Sequence, residues 1–161
     1  MGQEEMLLLE HQICFRVYTL ERAIMAAYKP VLKELGLTYP QYLVMLVLWE
    51  KKESTVGGIC ETLGLDTGTV SPLLKRMERN GLIRRQRRKE DERTVLIRLT
   101  TEGSVLRKQA YEVPEALAGC LFSTDGQLDM SRYGRMKDVL DEAITEIISK
   151  CSDHDSPSHS R

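Results

Sequence analysis

Four cysteines are the residues of this chain whose side chains could carry out redox chemistry or bind a soft metal ion: Cys14, Cys60, Cys120 and Cys151. Their spacing is wide and irregular, with no Cys-x-x-Cys pair and no cluster with histidine, so we expect no structural zinc site and no other cofactor. A disulfide framework is not expected either, because the chain lacks the sequence marks of secretion. The cysteines are therefore buried thiols, a reactive thiol, or both.

A dense cationic window is the second feature that could do chemistry. Residues 75–98 hold ten Lys and Arg against four Asp and Glu, a net charge of +6, although the 161-residue chain carries only −1. Phosphate groups supply most of the sequence-independent affinity for DNA and require such a surface. A merely solvated, charged hairpin is the alternative. DNA binding is favoured because the window follows directly on a helix of suitable shape.

That helix is predicted from Asp66, a good N-cap, to the stop signal Asn80-Gly81. Its inward face is apolar, with Val70, Leu73, Leu74 and Met77 at helical spacing. Pro72 allows either this long helix or a shorter one capped by Ser71, and we expect the longer. The outer-face residues that we predict to contact DNA are Thr67, Thr69, Ser71, Lys75 and Arg76.

The elements around this helix complete a winged helix-turn-helix. Residues 54–63 form the first helix of the pair, on whose core face Cys60 should pack. Residues 82–88 and 94–99 read as two strands of a hairpin, with the turn at 89–92. The arginines of this wing that we predict to face DNA are Arg85, Arg87 and Arg88. The predicted fold is mainly α with a small β-hairpin wing.

Amphipathic helices flank the module on both sides. We predict a helix over residues 4–28, a break at Lys29-Pro30, and a short helix over 31–35. A nearly all-apolar helix over 42–50, capped near Thr38 or Tyr39, should lie at the centre of the core. The remaining predicted elements are a helix that opens at Thr100 and bends at Pro114, a turn at 123–126 and a helix over 128–151.

The apolar stripes of these flanking helices need a partner, and a second copy of the chain would supply it. A homodimer would also place two recognition helices in successive major grooves, about 34 Å apart. The domain organisation predicted on this basis has N-terminal dimerisation helices at 1–35, the DNA-binding domain at 36–100, C-terminal dimerisation helices at 101–151 and a polar tail at 152–161.

Several segments resemble the MarR family of bacterial transcriptional regulators, namely TVSPLLKRMERNGLI and DERTVLIRLTTEG. Two more, LEHQICFRVY and AAYKPVLKELGLTYPQYLVMLVLWE, resemble the OhrR subgroup of organic hydroperoxide sensors. The resemblance spans about residues 8–148. It implies a wing arginine at Arg93 that enters the minor groove, with Asp91 beside it.

The resemblance also implies a sensing site. Cys14 matches the peroxide-reactive cysteine, Tyr28 and Tyr39 match its hydrogen-bonding tyrosines, and Tyr18 matches a further pocket tyrosine. Cys120 falls near the second cysteine of members that form a disulfide between subunits, whereas one-cysteine members use an external low-molecular-weight thiol. On one helix, Cys14 and Tyr28 would lie roughly 21 Å apart, so the implied site must be shared by two subunits.

The function that follows is a cytoplasmic repressor that binds double-stranded operator DNA and releases it when an organic hydroperoxide oxidises Cys14. A MarR-type repressor that answers a phenolic or other aromatic ligand without redox chemistry is the alternative. We expect no membrane partner, since no apolar run approaches about 20 residues. An enzyme, in particular a thiol peroxidase, is disfavoured because the βα alternation of such folds is missing.

Overall fold

The computed structural model describes residues 4–87, 94–124 and 127–154. These residues form two compact units, Met1–Glu115 and Ala116–Arg161. None of the helices described has both the length and the hydropathy needed to span a membrane. The predicted assignment of dimerisation and DNA-binding roles to segments of the chain stays a prediction.

The first unit carries the helices and strands of the winged module. Two short 3-10 turns, Glu5–Leu7 and Leu9–His11, precede the first helix. The elements that follow are α1 (Ile13–Glu34), α2 (Tyr39–Lys51), β1 (Glu53–Thr55), α3 (Val56–Leu63), α4 (Thr67–Arg79), β2 (Ile83–Arg87), β3 (Val95–Leu99) and α5 (Thr101–Ala110).

Helix α1 differs from its prediction at both ends. It begins at Ile13 rather than residue 4, and it runs through Pro30 to Glu34 without the predicted break. A proline inside a helix removes one hydrogen bond, but the turn that follows Pro30 places Leu32 in the core at 2% exposure. Burial of that turn outweighs the lost hydrogen bond. Cys14 and Tyr28 both lie before Pro30 and belong to one helix, as predicted.

Helix α2 begins at Tyr39, three residues before its predicted start, and Thr38, one of the two predicted caps, forms a capping box with Gln41. The Thr38 backbone N–H donates to Gln41 Oε1 at 2.9 Å, and Pro40 occupies the first turn, where its missing N–H costs nothing. The predicted central position of this helix is confirmed, because several of its side chains are fully buried: Val44, Met45 and Leu48.

The sheet of the first unit has three strands, in the order β1-β3-β2, and both pairs are antiparallel. The sequence predicts only the β2–β3 hairpin and places Ser54 and Thr55 in a helix, which is wrong. Ser54 pairs with Ile97, and Thr55 is extended while its Oγ1 accepts a hydrogen bond from Gly58 N at 3.0 Å. Thr55 is therefore both the last residue of β1 and the N-cap of α3. The predicted winged fold is confirmed.

A buried contact at Gly103 joins three elements of this unit. Trp49 Nε1 donates to the Gly103 carbonyl at 2.8 Å, and Thr100 Oγ1 accepts from Gly103 N at 3.0 Å. A Cβ at residue 103 would lie 2.1 Å from the Leu82 carbonyl oxygen. We call these four residues, Trp49, Leu82, Thr100 and Gly103, the Gly103 joint. It holds α2, the end of the α4–β2 connection and α5 together.

Helix α5 ends at Ala110, and α6 (Glu112–Phe122) begins after Tyr111. The predicted single helix bent at Pro114 is therefore wrong. Pro114 lies in the first turn of α6, where backbone N–H groups have no helical acceptor and a proline is tolerated. The chain accommodates Pro114 by ending α5 at Ala110 and starting a new helix at Glu112.

The second unit contains the end of α6, a small hairpin and a long helix. Strands β4 (Ser123–Thr124) and β5 (Gln127–Leu128) pair where the sequence predicts only a turn, and α7 spans Met130–His154. Asp129 caps α7 by accepting from Arg132 N at 2.9 Å. The predicted apolar stripe of α7 is present but exposed in the single chain, for example at Ile144 and Ile147.

The Gly103 joint gives a stability prediction. Gly103→Ala should lower the free energy of unfolding by about 3 kcal/mol, because the new methyl group meets backbone that cannot move away. Gly57→Ala is the matched control within a helix of the same unit. The nearest atom to its new methyl would be 3.9 Å away, so it should raise stability by about 0.5–1 kcal/mol. Urea unfolding followed by circular dichroism measures both; equal effects would contradict the close packing at Gly103.

Candidate nucleic-acid interface and redox site

Helix α4 begins with the predicted cap at Asp66. Its Oδ1 accepts from Thr69 N at 2.9 Å and its Oδ2 from Thr69 Oγ1 at 2.6 Å. The hydrogen bond from the Thr69 hydroxyl, followed by that from its backbone, lowers the pKa of Asp66 below its ordinary value. The helix then continues through Pro72, so the longer of the two predicted helices is the one that forms.

Helix α4 is divided into a buried and an exposed face. Val70, Leu74 and Met77 are fully buried, as predicted. Of the five residues of this helix that we predict to contact DNA, Ser71 is half-buried. The other four are exposed: Thr67, Thr69, Lys75 and Arg76. Arg79 lies one turn beyond Lys75 on the same face, and the sequence prediction missed it, although its helical spacing was a usable signal.

Two of the wing arginines predicted to contact DNA are among the described residues. Arg87 is exposed, whereas Arg85 is half-buried and its backbone N–H donates to Glu78 Oε1 at 2.9 Å. The Arg85 Nη1 atom lies 3.9 Å from Glu78 Oε2. The other predicted wing contacts lie outside the described residues: Arg88, Asp91 and Arg93.

A cleft of about 540 Å³ opens between α4 and the wing. Its lining is mostly cationic and comprises Pro72, Lys75, Arg76, Glu78, Arg79 and Arg85. We call it the helix–wing cleft. Since α4 and β2 both contribute cations to this cleft, one bound anion could contact α4, the predicted recognition helix, and the wing at the same time.

Cys14 lies in the first turn of α1 and is exposed. Tyr18 follows one turn later and is 55% exposed, with the Arg22 guanidinium 5.7 Å from its ring centroid. These three side chains form one stripe along the helix, because successive members are four residues apart. Thiol and phenol thus share a solvent-facing surface within the single chain.

The other two predicted pocket tyrosines lie together at the far end of α1. The Tyr28 and Tyr39 ring centroids are 4.8 Å apart, and Tyr42 lies 6.0 Å from Tyr28. Burial raises the pKa of Tyr39, and burial followed by the nearby Tyr39 raises the pKa of Tyr42. Both phenols therefore keep their protons at neutral pH and can donate hydrogen bonds.

Within one chain, the structure does not bring Cys14 to these tyrosines. Cys14 and Tyr28 are both on α1, so the helical rise separates them by roughly 21 Å along the axis. Beside the tyrosines lies a cleft of about 460 Å³ with Met25 and Leu37 on its wall and Lys29 and Lys33 near its edge. This end of α1 offers an apolar space with phenol donors and cations.

Two further cysteines of the sequence, Cys60 and Cys120, are free thiols. Cys60 packs against the core as predicted, with its Sγ 3.8 Å from Thr67 Oγ1. Cys120 is exposed on α6. The described residues contain no group of His, Cys, Asp and Glu side chains placed to hold a metal ion.

Comparison with known proteins gives a consistent set of relatives. The family described as transcriptional regulator SarA/Rot matches residues 26–109. An organic hydroperoxide resistance transcriptional regulator of Bacillus subtilis is 50% identical over 111 residues, which cover 69% of this chain and 76% of that protein.

Solved structures extend the likeness to the whole fold. AbfR, described as reduced and bound to DNA, has a TM-score of 0.70 at 36% identity and covers 92% of this chain and 99% of its own. Overoxidised AbfR bound to DNA and disulfide-formed AbfR are also similar. CouR from Rhodococcus jostii RHA1, bound to p-coumaroyl-CoA, has a TM-score of 0.67 at 27% identity, covering 83% of this chain and 92% of that one.

The cap of α4 predicts a specific pH dependence. The lowered pKa of Asp66 means that its carboxylate stabilises the folded state above pH about 4, and that this stabilisation is lost as the pH falls through the folded-state value. Asp66→Asn keeps a good cap but cannot titrate. Thermal melting should therefore show the wild type losing its advantage over Asp66→Asn between pH 7 and pH 3. Asp66→Ala should melt below both at pH 7, and a constant gap between wild type and Asp66→Asn would contradict the assignment.

Proposed function

From the premise that this chain belongs to the SarA/Rot and MarR type of winged-helix transcriptional regulators, we propose that it is a repressor that releases its operator when Cys14 is oxidised. The family consists of transcriptional regulators, so the prediction that the chain is not an enzyme is confirmed. The observation that carries the redox proposal is the exposed Cys14 in the first turn of α1, with Tyr18 on the same face.

Binding of double-stranded DNA rests on the cationic surface of α4 and the wing. The exposed outer face of α4 suits the major groove, and the wing arginines suit the flanking backbone. The DNA-bound state of the similar AbfR structure supports this arrangement. Arg93, with Asp91 beside it, remains the predicted minor-groove contact.

The repressor is proposed to act as a homodimer. Ile13 and Val17 on α1 are 75% and 59% exposed in the single chain, and α7 carries a further exposed apolar stripe. A second copy would cover such surfaces. It would also complete the sensing site, since an antiparallel α1 of the partner could bring Tyr28 and Tyr39 to Cys14 across the roughly 21 Å that separates them on one helix.

The proposed sensing reaction begins with the Cys14 thiolate. Its sulfur attacks the terminal peroxide oxygen of an organic hydroperoxide, an S–O bond forms, the O–O bond breaks, and the alkoxide leaves with a proton as alcohol. Unpaired amides of a helix N-terminus and phenol donors both stabilise a thiolate. Cys14 is reduced in the resting state and becomes a sulfenic acid.

The sulfenic acid then condenses with a thiol to give a disulfide and water. Two thiols can serve here, Cys120 of the other subunit or an external low-molecular-weight thiol. A covalent link between subunits would pull on the helices that carry the two cysteines, and a changed spacing of the recognition helices would weaken DNA binding. The similar structure of disulfide-formed AbfR supports a disulfide as the product of this step.

Cys14→Ser should abolish release of DNA by cumene hydroperoxide, because the nucleophile is gone. Gel shift with the DNA upstream of the chain's own gene, before and after one equivalent of oxidant, measures this. Nonreducing electrophoresis beside it should show a covalent dimer that needs both Cys14 and Cys120, or a Cys14-dependent mixed disulfide when a small thiol is added. Cys60→Ser is the matched control and should behave as wild type. Normal release by Cys14→Ser would refute the redox mechanism.

Tyr39→Phe should slow the oxidation of Cys14 by roughly tenfold, since it removes one hydrogen-bond donor to a charged group while keeping the ring. The rate of sulfenic acid formation, followed with a dimedone probe and mass spectrometry, is the measurement. Tyr111→Phe, at an exposed ring in the connection between α5 and α6, is the control. Equal rates for all three proteins would remove Tyr39 from the site.

A second candidate function is a repressor that answers an aromatic ligand without redox chemistry. The cleft beside Tyr28 and Tyr39, with its apolar wall and two lysines, is the observation that favours it. CouR bound to p-coumaroyl-CoA is a similar structure with such a ligand. Release of DNA by p-coumaroyl-CoA in the Cys14→Ser protein, under reducing conditions, would establish this function in place of the redox sensor.

A further inference from the structure

Glu78 is an acidic residue on an otherwise cationic surface. It lies in the helix–wing cleft among Lys75, Arg76, Arg79 and Arg85. An isolated carboxylate there would repel DNA phosphates and weaken binding. The presence of Glu78 is explained if its carboxylate holds one of the surrounding cationic side chains in position.

Among the residues that the structure describes, the hydrogen bond and the ion pair of the Glu78 side chain both go to Arg85 of the wing. Its Oε1 accepts the Arg85 backbone N–H at 2.9 Å, and its Oε2 lies 3.9 Å from Arg85 Nη1. Strand β2 is at the edge of the sheet, so this N–H has no strand partner and needs another acceptor. Glu78 thus ties the last turn of the recognition helix to the middle of the first wing strand.

The backbone N–H of Arg85 is hydrogen-bonded, but one of its side-chain donors is not. Its side chain is 22% exposed, and its Nε is buried without a hydrogen-bond partner, the one such side-chain atom identified among the described residues. A buried unpaired donor costs free energy unless an acceptor arrives. The Nε has no accessible surface of its own, so a phosphate oxygen reaches it only with a shift of the Arg85 side chain. A phosphate is a suitable acceptor, because the fork of N–H groups on a guanidinium matches two of its oxygens.

We propose that Glu78 is a positioning residue, which holds Arg85 so that its guanidinium receives a DNA backbone phosphate in the helix–wing cleft. Lys75 and Arg79 supply further positive charge from the same face of α4. The contact is to the phosphodiester and is independent of base sequence. This inference rests on the proposed DNA-binding function and adds to it the residue that sets the wing against the recognition helix.

The proposal predicts an effect of unusual sign. Glu78→Met removes a negative charge from the DNA-binding surface, so electrostatics alone would raise the affinity for DNA. It also removes the oxygen that accepts the Arg85 backbone N–H, which Gln would keep. If Glu78 positions Arg85, the affinity of a mixed-sequence 30-base-pair duplex should instead fall, by roughly tenfold at about 0.1 M salt. The plot of log affinity against log salt should become shallower by about 1 for each subunit, as for the loss of one phosphate contact.

Fluorescence anisotropy with that labelled duplex, over a series of salt concentrations, is the experiment. Glu61→Met is the matched control, since it removes an exposed acid from α3, and the affinity of this variant for DNA should stay level or rise. Melting curves of each variant give its stability. A role of Glu78 in stability alone would lower the melting temperature and leave the salt slope of the folded protein unchanged, which would overturn the proposal.

A double-mutant cycle gives the decisive test. In an Arg85→Gln background, Glu78→Met should no longer lower the affinity, because there is no guanidinium left to position. If it lowers the affinity equally in both backgrounds, or if Glu78→Met binds DNA more tightly than the wild type, the proposal is wrong. Failure of the wild type to bind any duplex would instead refute the proposed DNA-binding function, so the two failures are distinguishable.

Discussion

The fixed rise of an α-helix is the constraint on which the sensing half of this molecule depends. Helix α1 runs without a break from Ile13 to Glu34, so Cys14 in its first turn and Tyr28 fourteen residues later are held apart along one rigid rod. A chain that needs thiol and phenol together must obtain one of them from another molecule. Because both residues precede Pro30, this separation holds whether or not the helix continues past the proline, and under the proposed mechanism the single chain is an incomplete sensor.

The phenol end of that rod is packed directly into the winged module. Tyr28 contacts Tyr42, whose ring centroid is 6.4 Å from that of Trp49, and Trp49 donates to the carbonyl of Gly103. Gly103 in turn lies against the backbone of Leu82, just after the recognition helix. The cluster of Tyr28, Tyr39 and Tyr42 and the base of the wing therefore belong to one continuous column of packed contacts. A rearrangement of the tyrosines could be transmitted through these contacts to the wing.

Much of this could be predicted from the sequence where the signal is local. The Asp66 cap, the buried stripe of α4 and the capping box at Thr38 follow from side-chain chemistry within a few residues, and all three form. The failures are non-local. Strand β1 needs a partner more than 40 residues away, and the persistence of α1 through Pro30 depends on the burial of Leu32 in a core that local patterns do not describe. Glu78 was overlooked because a lone acid in a basic window looks like a solvated charge until Arg85 is seen beside it.

The column of aromatic rings also has an optical consequence. Trp49 is the only tryptophan of the chain, and its indole lies in the column with Tyr42 at its edge. Tyrosine emission overlaps tryptophan absorption, so energy absorbed by the nearby phenols passes to this one indole. Its emission wavelength depends on the hydrogen bond to Gly103 and on the exclusion of water. The intrinsic fluorescence of the protein is therefore a label, already in place, at the junction between the tyrosine cluster and the DNA-binding elements.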